Sequence, residues 1–365
     1  MARTYRILVL MKRFSVGKDM VLENFGRYVR LFESLAKYGH RIDFLCMDYT
    51  KKERKDVQIR GVRYFIRPWG AIRWISFLRE ADRIVKKGGY DIIVGASEPL
   101  LGIVASHLSK KHGKTFVYEM QDHYACYDSY KIPFVPQADR KAVKRADMLI
   151  TVSESLKKEM ARLRKGCILV IENGIDAKRF RKIGLQEARR KLKLPPKAKI
   201  AVYTGEISDV KGAPAMLAAF RKVLDEIPDA YIVLVGNVLD GTDLQQKNVL
   251  FRGPQPQEEV VLYLNAADVA LIPNNDNLFS RYCFPYKALE YMVCGLPIVA
   301  TAIGDMKRLL KDYPDSLCEP GNATDMAEKI IAQLKKGKRV SYNPIIQRLS
   351  WDKLAGKLHK ALQQL

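Results

Sequence analysis

The sequence predicts an α/β protein with two domains, each a doubly wound parallel sheet with helices on both faces. Three observations support this fold class. Apolar strands alternate with amphipathic helices, the alternation restarts near residue 200, and 365 residues with 48% hydrophobic content can fill two cores. Between the two alternating sets, residues 172–199 show no strand pattern and include Pro-Pro, so we interpret them as the inter-domain connection.

The first alternating set has the order expected of βαβ units. Apolar runs predict strands at residues 6–11, 41–47, 61–68, 90–96, 114–120, 145–154 and 167–171. Helical periodicity predicts helices at residues 20–38, 71–87, 99–113 and 155–165. Strands that are joined through helices lie parallel, because a helix returns the chain to the same end of the sheet.

The second set repeats this alternation. The predicted strands are residues 200–205, 230–236, 249–253, 268–273 and 297–301, and the predicted helices are residues 213–226, 257–266, 285–294 and 324–335. We assign residues 1–180 to the first domain and 181–349 to the second, and we expect the C-terminal helix, 350–365, to pack back on the first. Ligands of such sheets bind at the carboxyl ends of the strands, so the expected site is a cleft across which the domains face each other.

The stretch FPYKALEYMVCGLPIVAT, residues 284–301, predicts a helix that leads into a buried strand. Pro285 suits a first helical turn, and Gly295 with Pro297 suits the helix end. Lys287 and Glu290 are three apart, so they share one helix face. Lys287 lies in the first turn, where free N–H groups and the helix dipole attract anions. An exposed ion pair is the competing interpretation.

The composition favours an anionic partner. The chain carries 63 Lys and Arg against 40 Asp and Glu, a net charge of +23, and the excess is concentrated in residues 1–180. Nucleic acid, a membrane surface or a phosphorylated substrate would each fit this charge. The six cysteines form no C-x-x-C pair and the histidines have no metal-ligand spacing, so we expect neither a zinc site nor disulfides. With no signal peptide or membrane-spanning segment predicted, we expect a cytoplasmic protein that can dock at the inner face of the cell membrane.

Six stretches together resemble the GT-B fold glycosyltransferases, specifically the retaining group called family 4. They are ADMLITVSESLKKEM (146–160), ENGIDAKRF (172–180), TGEISDVKGAPAMLAAF (204–220), AADVALIP (266–273), FPYKALEYMVCGLPIVAT (284–301) and SWDKLAGKLHKAL (350–362). They follow the order of the family along the chain. The first 140 residues match mainly in pattern.

The resemblance implies an enzyme of the hexosyltransferase type (EC 2.4) that acts in glycan biosynthesis. It would move a sugar from a nucleotide-diphosphate donor to a hydroxyl acceptor, with retention and without a metal ion or other cofactor. Breaking the donor's anomeric bond adds negative charge to the diphosphate, so cations and helix N-termini should face it. Lys211, which precedes Gly212 and a predicted helix, and Lys287 fit this role. Glu290 would accept hydrogen bonds from the ribose.

Two positions depart from the family pattern and bear on donor binding. Many members have arginine directly after the glycine of the strand at 200–205, whereas here Glu206 follows Gly205. Many also have glutamate eight residues before Glu290, where this chain has Tyr282. By resemblance we still expect Gly205, Glu206 and Glu290 in the donor site. The side chains expected to line the sugar pocket are Asn274, Asn275, Asp276, Arg281 and Tyr282, although an Asn-rich turn can be only a turn.

On the acceptor side, the first predicted strand leads into KRFSVGKD, residues 12–19, and a later strand ends in Gln-Asp-His-Tyr. By resemblance the first loop should approach the donor phosphates through Gly17, although an ordinary loop explains this glycine equally well. Asp122 should bind the acceptor and handle its proton, with His123 beside it. A carboxylate that caps the next element is the alternative for Asp122.

Two other functions compete with glycosyl transfer. A nucleotide-sugar 2-epimerase shares the architecture, but the Arg-Glu-x-Thr-Glu-Arg-Pro stretch of that family is missing. A nucleic-acid-binding protein fits the charge, but no recognisable nucleic-acid-binding module is present. The sequence also has no D-x-D motif, which would indicate a metal site. We instead expect a lipid-linked or glycan acceptor and docking on anionic membrane through Trp69 and Arg73. Packing of the adjacent helix on the sheet, through Trp74 and Ile75 among others, is the alternative.

Overall fold

The computed structural model describes residues 3–15, 17–24, 26–177, 180–239 and 241–365, apart from the side chain at position 314. Positions 16, 25, 178 and 179 belong to a predicted loop, a predicted helix and the predicted connection, and they lie outside the described residues. The chain divides into two compact units. The first comprises Met1–Gly174 with Trp351–Leu365, and the second comprises Ile175–Ser350.

The first unit is built on an eight-stranded sheet and a small hairpin of β2 and β3. In chain order its strands are β1 (Arg6–Lys12), β2 (Phe14–Ser15), β3 (Lys18–Asp19), β4 (Arg41–Asp48), β5 (Lys55–Ile59), β6 (Val62–Pro68), β7 (Ile92–Ala96), β8 (Thr115–Met120), β9 (Met148–Thr151) and β10 (Ile168–Val170). Its first helices are α1 (Arg27–Ala36), α2 (Trp74–Gly88), α3 (Pro99–His112), α4 (Val135–Arg145) and α5 (Glu154–Ala161).

The sheet order in this unit is β10-β9-β8-β7-β1-β4-β6-β5. The chain starts in the middle at β1, extends to one side, and then crosses back to β7 on the other side. Pairing is parallel throughout the described sheet except between β5 and β6. The strand order therefore reverses between β1 and β7, and this is the switch point at which doubly wound sheets bind ligands.

The second unit repeats the design with a six-stranded sheet. Its strands are β11 (Ile200–Thr204), β12 (Tyr231–Val235), β13 (Val249–Phe251), β14 (Val269–Ile272), β15 (Ile298–Thr301) and β16 (Leu317–Cys318). Its helices are α6 (Leu185–Lys191), α7 (Ala213–Glu226), α8 (Gln257–Ala266), α9 (Leu278–Tyr282), α10 (Tyr286–Val293), α11 (Asp305–Leu309), α12 (Ala323–Lys336) and α13 (Asn343–Arg348). The order β13-β12-β11-β14-β15-β16 places its switch point between β11 and β14.

The predicted fold class is confirmed, because both units are parallel α/β sheets with covered faces. β1 shows why the apolar runs were informative, since its five central residues are all buried. A strand with helices on both faces reads as a continuous apolar run. An apolar core of the second unit joins β11, β12 and β14 to α7 and α12, and Phe220 and Ile330 in it are fully buried.

Two differences from the predicted elements have local causes. The helix predicted at 20–38 begins only at Arg27, because Asp19 Oδ1 accepts the N–H groups of Val21 and Leu22, each at 3.1 Å, and so satisfies them outside a helix. The edge strand β5 was not predicted. Its side chains alternate only between partly buried and exposed, so it has no buried apolar face, and it lies antiparallel to β6. No helix was predicted where α4 lies.

A buried ion pair holds α1 in place in the first unit. The Arg27 guanidinium bonds the Glu119 carboxylate at the end of β8, and both side chains are fully buried. Arg27 Nη1 also donates to the Glu172 carbonyl at 2.8 Å. Burial raises the pKa of Glu119, and the charge of Arg27 opposes that rise. One buried arginine thus connects a helix start, a strand end and the segment after β10.

The C-terminal helix α14 (Trp351–Leu362) packs on α1 within the first unit. A histidine pair lies beside this contact. His40 Nδ1 accepts the Tyr5 N–H at 3.1 Å, so its proton is on Nε2, which lies 2.9 Å from His359 Nδ1. His359 also stacks on Tyr38 at 4.7 Å between ring centroids, and Lys37 Nζ bonds Asp352 at 2.6 Å.

This histidine pair predicts a loss of stability on acidification. Burial, followed by the charge of His359, lowers the pKa of His40. A folded-state pKa below the unfolded value of about 6.5 means that protons favour the unfolded state, so stability falls as pH drops below that value. We expect the melting temperature to fall less between pH 7.5 and 5.5 in His40→Gln than in the parent. His107→Gln, at an exposed position, is the control and should keep the parent's pH dependence.

Candidate functional site

The carboxyl end of β11 brings together three predicted donor-site residues. After Thr204 the chain turns at Gly205, whose φ is 118°. Lys287 reaches this turn from the first turn of α10, and a Cβ on Gly205 would lie 3.0 Å from its Nζ. The carbonyl of Glu206 accepts the Tyr203 hydroxyl at 2.5 Å. Glycine at 205 thus permits both the backbone turn and the close approach of the lysine.

Lys287 is a partly desolvated cation. Its Nζ lies 4.0 Å from the centroid of the Tyr203 ring. Burial lowers its pKa, and the negative charges of nearby groups, among them Glu290 and Glu206, oppose that effect. An ammonium that has lost part of its hydration gains more from a bound anion than an exposed one does. Position 287 is therefore electrostatically suited to an anionic ligand.

The loop after β11 is attached to the loop after β14. Asn275 Nδ2 donates to the Asp209 carbonyl at 2.6 Å, and Asn277 Nδ2 donates to the Val210 carbonyl at 3.0 Å. These bonds place Lys211 beside α9, with its Nζ 3.6 Å from the centroid of the Phe279 ring. The two predicted lysines consequently lie on loops and helix starts at the same edge of the sheet, at its switch point.

The predicted sugar-pocket residues have different roles. Arg281 forms a bidentate ion pair with Asp276, in which Nε lies 2.6 Å from Oδ1 and Nη2 lies 3.1 Å from Oδ2. Both side chains are about half exposed. Tyr282 ends α9 and is half-buried. Asn274 is buried, and its Oδ1 has no hydrogen-bond partner among the described residues. Glu290 lies one turn beyond Lys287 on α10. Among the residues predicted to line the sugar pocket, Asn274 thus has a buried acceptor atom that no described group uses.

The predicted residues of the first unit lie after β1 and β8. Gly17 lies in the turn between β2 and β3 with φ 73°, and a Cβ there would meet nothing within 4 Å. Asp122 Oδ2 accepts the Tyr127 hydroxyl at 2.7 Å. Burial lowers the pKa of His123. Arg13 in the predicted phosphate-facing loop is fully buried and bonds Asp19, Asp48 and Glu53, so its charge is used in the fold.

A pocket of about 610 Å³ lies at the carboxyl edge of the first unit's sheet, lined entirely by residues of that unit. Lys12 at the end of β1 lies in it, with its Nζ 3.3 Å from Glu98 and 4.9 Å from the Tyr127 ring centroid. Ser129 also donates a hydrogen bond to Glu98. Neither Glu98 nor Tyr127 was predicted as a site residue. A useful signal was the carboxylate of Glu98, two residues after the end of the buried strand β7.

Two family sequence models match the chain and together cover most of it. The family described as Glycosyltransferase Family 4 matches residues 27–179, and the family described as Glycosyl transferases group 1 matches residues 185–347. Each match falls mainly on one of the two units.

Individual proteins agree with these matches. A D-inositol 3-phosphate glycosyltransferase of Corynebacterium jeikeium is 27% identical over 259 residues, which are 62% of this chain and 59% of that protein. A putative teichuronic acid biosynthesis glycosyltransferase, TuaC of Bacillus subtilis, is 29% identical over 53% of this chain and 48% of its own length. The alignments thus span about half to three fifths of these relatives.

Among solved structures, HepE from Anabaena in complex with UDP has a TM-score of 0.76 at 16% identity, with 99% of this chain and 100% of that one covered. At this identity the likeness shows a shared fold. No helix among the described residues has both the length and the apolar character needed to cross a membrane.

The crowded edge of the second unit predicts different costs for two glycine substitutions. Gly212 has φ 80°, and a Cβ there would lie 1.9 Å from the Pro273 carbonyl oxygen. Gly253 has φ 63°, but a Cβ there would meet nothing within 4 Å. We expect Gly253→Ala to cost about 1–2 kcal/mol from backbone strain alone. Gly212→Ala should cost about 1–3 kcal/mol more because of the overlap. Urea unfolding of the two variants tests this, and equal costs would contradict the packing.

Proposed function

This chain belongs to the family 4 glycosyltransferases, the group 1 enzymes with the GT-B fold, and we propose that it is a hexosyltransferase that uses a nucleotide-diphosphate sugar. The sugar would pass to a hydroxyl acceptor with retention of configuration and without an added metal ion. The observation that carries this proposal is the partly desolvated Lys287 of α10, which lies beside the end of β11, with Lys211 at the same sheet edge. The family does not favour the epimerase or nucleic-acid alternatives.

The two lysines would act on the leaving diphosphate. Transfer breaks the bond between the anomeric carbon and the diphosphate, and the diphosphate oxygens gain negative charge as the bond breaks. Fixed cations that face these oxygens stabilise the transition state more than the ground state. Lys211 directly precedes Gly212 and α7, whose first-turn N–H groups add a partial positive charge. Two lysines and a helix start can thus supply the charge that a metal ion supplies elsewhere.

The remaining predicted residues would orient the substrates. We propose that Glu290 accepts hydrogen bonds from the ribose hydroxyls, and that the backbone at Gly205 and Glu206 contacts the donor. The Oδ1 atom of Asn274 would accept a hydroxyl of the transferred sugar, because a buried acceptor without a partner is costly unless a ligand satisfies it. The ion-paired Arg281 and the neighbouring Tyr282 would lie at the mouth of this pocket.

On the acceptor side, we propose that Asp122 orients the attacking hydroxyl and receives its proton. Its bond to the Tyr127 hydroxyl fixes one carboxylate oxygen, with a separation of 2.7 Å. His123, whose pKa is lowered by burial, would stay neutral near pH 7 and contact the acceptor as a hydrogen-bonding group. Gly17 would let its loop approach the donor phosphates.

The lysine roles predict a selective loss of turnover. We expect Lys287→Ala and Lys211→Ala each to lower kcat by about 10²- to 10³-fold, because each removes charge stabilisation of the transition state. Turnover would be measured with a panel of UDP- and GDP-sugars. Lys222→Ala removes an exposed lysine from the middle of α7 and serves as the matched control. A kcat within about twofold of the parent in either site variant would refute the assignment.

Nucleotide binding can be tested without knowing the acceptor. Saturation with the correct nucleoside diphosphate, at about a hundred times its dissociation constant, should stabilise the protein by about 2.7 kcal/mol. Thermal melting with UDP, GDP, ADP and their absence measures this. If none of the three raises the melting temperature, the proposed donor class is wrong.

We further propose that the first unit docks on anionic membrane, which would fit a lipid-linked acceptor. Ile72 is 94% exposed, Trp74 47% and Ile75 45%. The exposed Arg73 lies between them in the chain, and its Nη1 donates to the carbonyl of Lys52, a second exposed basic residue, at 3.5 Å. Aromatic, apolar and basic side chains in one region are typical of interfacial binding. We call Ile72, Arg73, Trp74 and Ile75 the interfacial segment.

The structure revises which tryptophan is suited to this contact. Trp69 was the predicted membrane residue, but it is half-buried and packs edge-to-face on Phe77 with centroids 5.2 Å apart. Trp74 and Ile75, which the alternative interpretation packed on the sheet, are exposed instead. The buried face of α2 is formed by Phe77, Ala81 and Val85. Ala81 and Val85 were predicted to pack on the sheet and are buried, so the prediction is wrong only for the first turn of the helix.

Vesicle co-sedimentation tests the membrane proposal. We expect binding to vesicles with anionic lipid that weakens with salt, since the Debye length is about 10 Å at 0.1 M. Ile72→Ala combined with Trp74→Ala should lower partitioning by about tenfold or more, because each buried apolar side chain contributes about 1.5–3 kcal/mol. The control is Phe251→Ala, which truncates a 42% exposed aromatic in the second unit. Equal recovery with neutral and anionic vesicles at low salt would overturn the proposal.

A further inference from the structure

The pocket in the first unit has an unusual lining for so basic a chain. Its wall contains three aromatic rings, those of Tyr49, Trp69 and Tyr127. Apolar side chains complete it, including Met47 and Leu100. Its volume of about 610 Å³ is in the range of small-molecule sites.

The charged groups of this pocket are mainly carboxylates. Lys12, Glu98 and Asp128 line it, which makes its formal charge −1, whereas the whole chain carries +23. Glu98 is buried and engages Lys12 at 3.3 Å. Asp128, at the rim, bonds Lys131 at 2.7 Å. Each of the two carboxylates thus engages a lysine, so an entering phosphate or carboxylate would have to compete with a carboxylate for either cation.

We propose that this pocket is the acceptor subsite and that it binds an uncharged sugar ring, not a phosphorylated or carboxylated acceptor. That the bound sugar is the acceptor rests on the proposed glycosyl transfer, whereas the preference for an uncharged sugar rests on the pocket lining alone. A sugar ring has one face of C–H groups, which packs on the electron-rich face of an aromatic ring. Its hydroxyls are donors for carboxylate oxygens, and such charge-assisted bonds are stronger than neutral ones.

The position of the pocket agrees with this role. It lies at the carboxyl ends of β1, β4 and β7, around the switch point of the first sheet. Tyr127 links it to Asp122, because its ring lines the pocket and its hydroxyl bonds that carboxylate at 2.7 Å. An uncharged sugar differs in charge from the compound in the name of the Corynebacterium relative, D-inositol 3-phosphate. The lining would therefore set the acceptor specificity of this chain apart.

Binding measurements test this without turnover. The probes are the methyl glycosides of glucose, galactose, mannose and N-acetylglucosamine, each compared with the corresponding hexose 6-phosphate by saturation-transfer NMR and calorimetry. At least one neutral glycoside should bind about tenfold or more tightly than its phosphate, which corresponds to 1.4 kcal/mol. Phosphates that bind as tightly as the neutral glycosides, or no binding by any neutral glycoside, would overturn the proposal.

Variants then locate the binding. Trp69→Ala should weaken the neutral glycoside by about tenfold while Trp69→Phe retains most of the affinity, because the ring face is what the sugar contacts. Since Trp69 also packs on Phe77, Tyr49→Ala is a second test at a 42% exposed position. Phe251→Ala is the remote aromatic control. Unchanged affinity in both Trp69→Ala and Tyr49→Ala would reject the pocket.

A further variant tests the effect of the charge of the pocket lining. Glu98→Gln removes the partner of Lys12 and brings the formal charge of the lining to zero, so the preference for neutral over phosphorylated sugar should shrink. An unchanged preference would contradict the electrostatic basis. The melting experiment with UDP, GDP and ADP separates the two proposals. Glycoside binding without stabilisation by any of these nucleotides would leave the sugar subsite standing and refute the proposed donor class.

Discussion

The close approach of backbone segments at the carboxyl end of β11 is the constraint on which the second unit's site depends. A Cβ at Gly236 would lie 1.9 Å from the Gly205 carbonyl oxygen, and a Cβ at Gly212 would lie equally close to the Pro273 carbonyl oxygen. Side chains at these positions would push the loops apart. Because both positions are glycines, the loops after β11, β12 and β14 contact each other and bring Lys211 and Lys287 to the same edge of the sheet.

The chain's large positive charge is unevenly available. Within the described residues, several arginines are buried in ion pairs that hold the fold together, such as Arg13 with three carboxylates and Arg27 with Glu119. Arg189 likewise bonds Asp268 at 2.8 Å. Such cations cannot bind a ligand without leaving a buried carboxylate unpaired, which is costly. Net charge therefore indicates an anionic partner but does not locate it, and the proposed location rests on the half-buried Lys287.

The carboxyl edges of the two sheets differ in chemistry although their topology is similar. In the second unit the edge presents lysines, tight glycine turns and a buried amide oxygen at Asn274. In the first unit it presents aromatic rings and carboxylates around a pocket. The first set suits a diphosphate and the second an uncharged polyol, which is the division that a transfer between a charged donor and a neutral acceptor requires.

The sequence by itself determined the fold class, most elements and the residues of α10. Strands buried on both faces and helices with one apolar face leave periodic patterns, and Pro285 and Gly295 mark helix ends whatever surrounds them. Lys287 and Glu290 could be placed on one face of that helix from the sequence alone, because residues three apart are neighbours on a helix.

Only the tertiary structure decided which side chains remain available and which face of α2 is covered. Trp69 was predicted to face a membrane, but it packs on Phe77. Arg13 lies in the loop that was predicted to approach the phosphates, but three carboxylates engage it. The pocket of the first unit likewise joins residues from five separate stretches between Lys12 and Ile132. Such contacts depend on how elements pack in space, and no local pattern of residues encodes them.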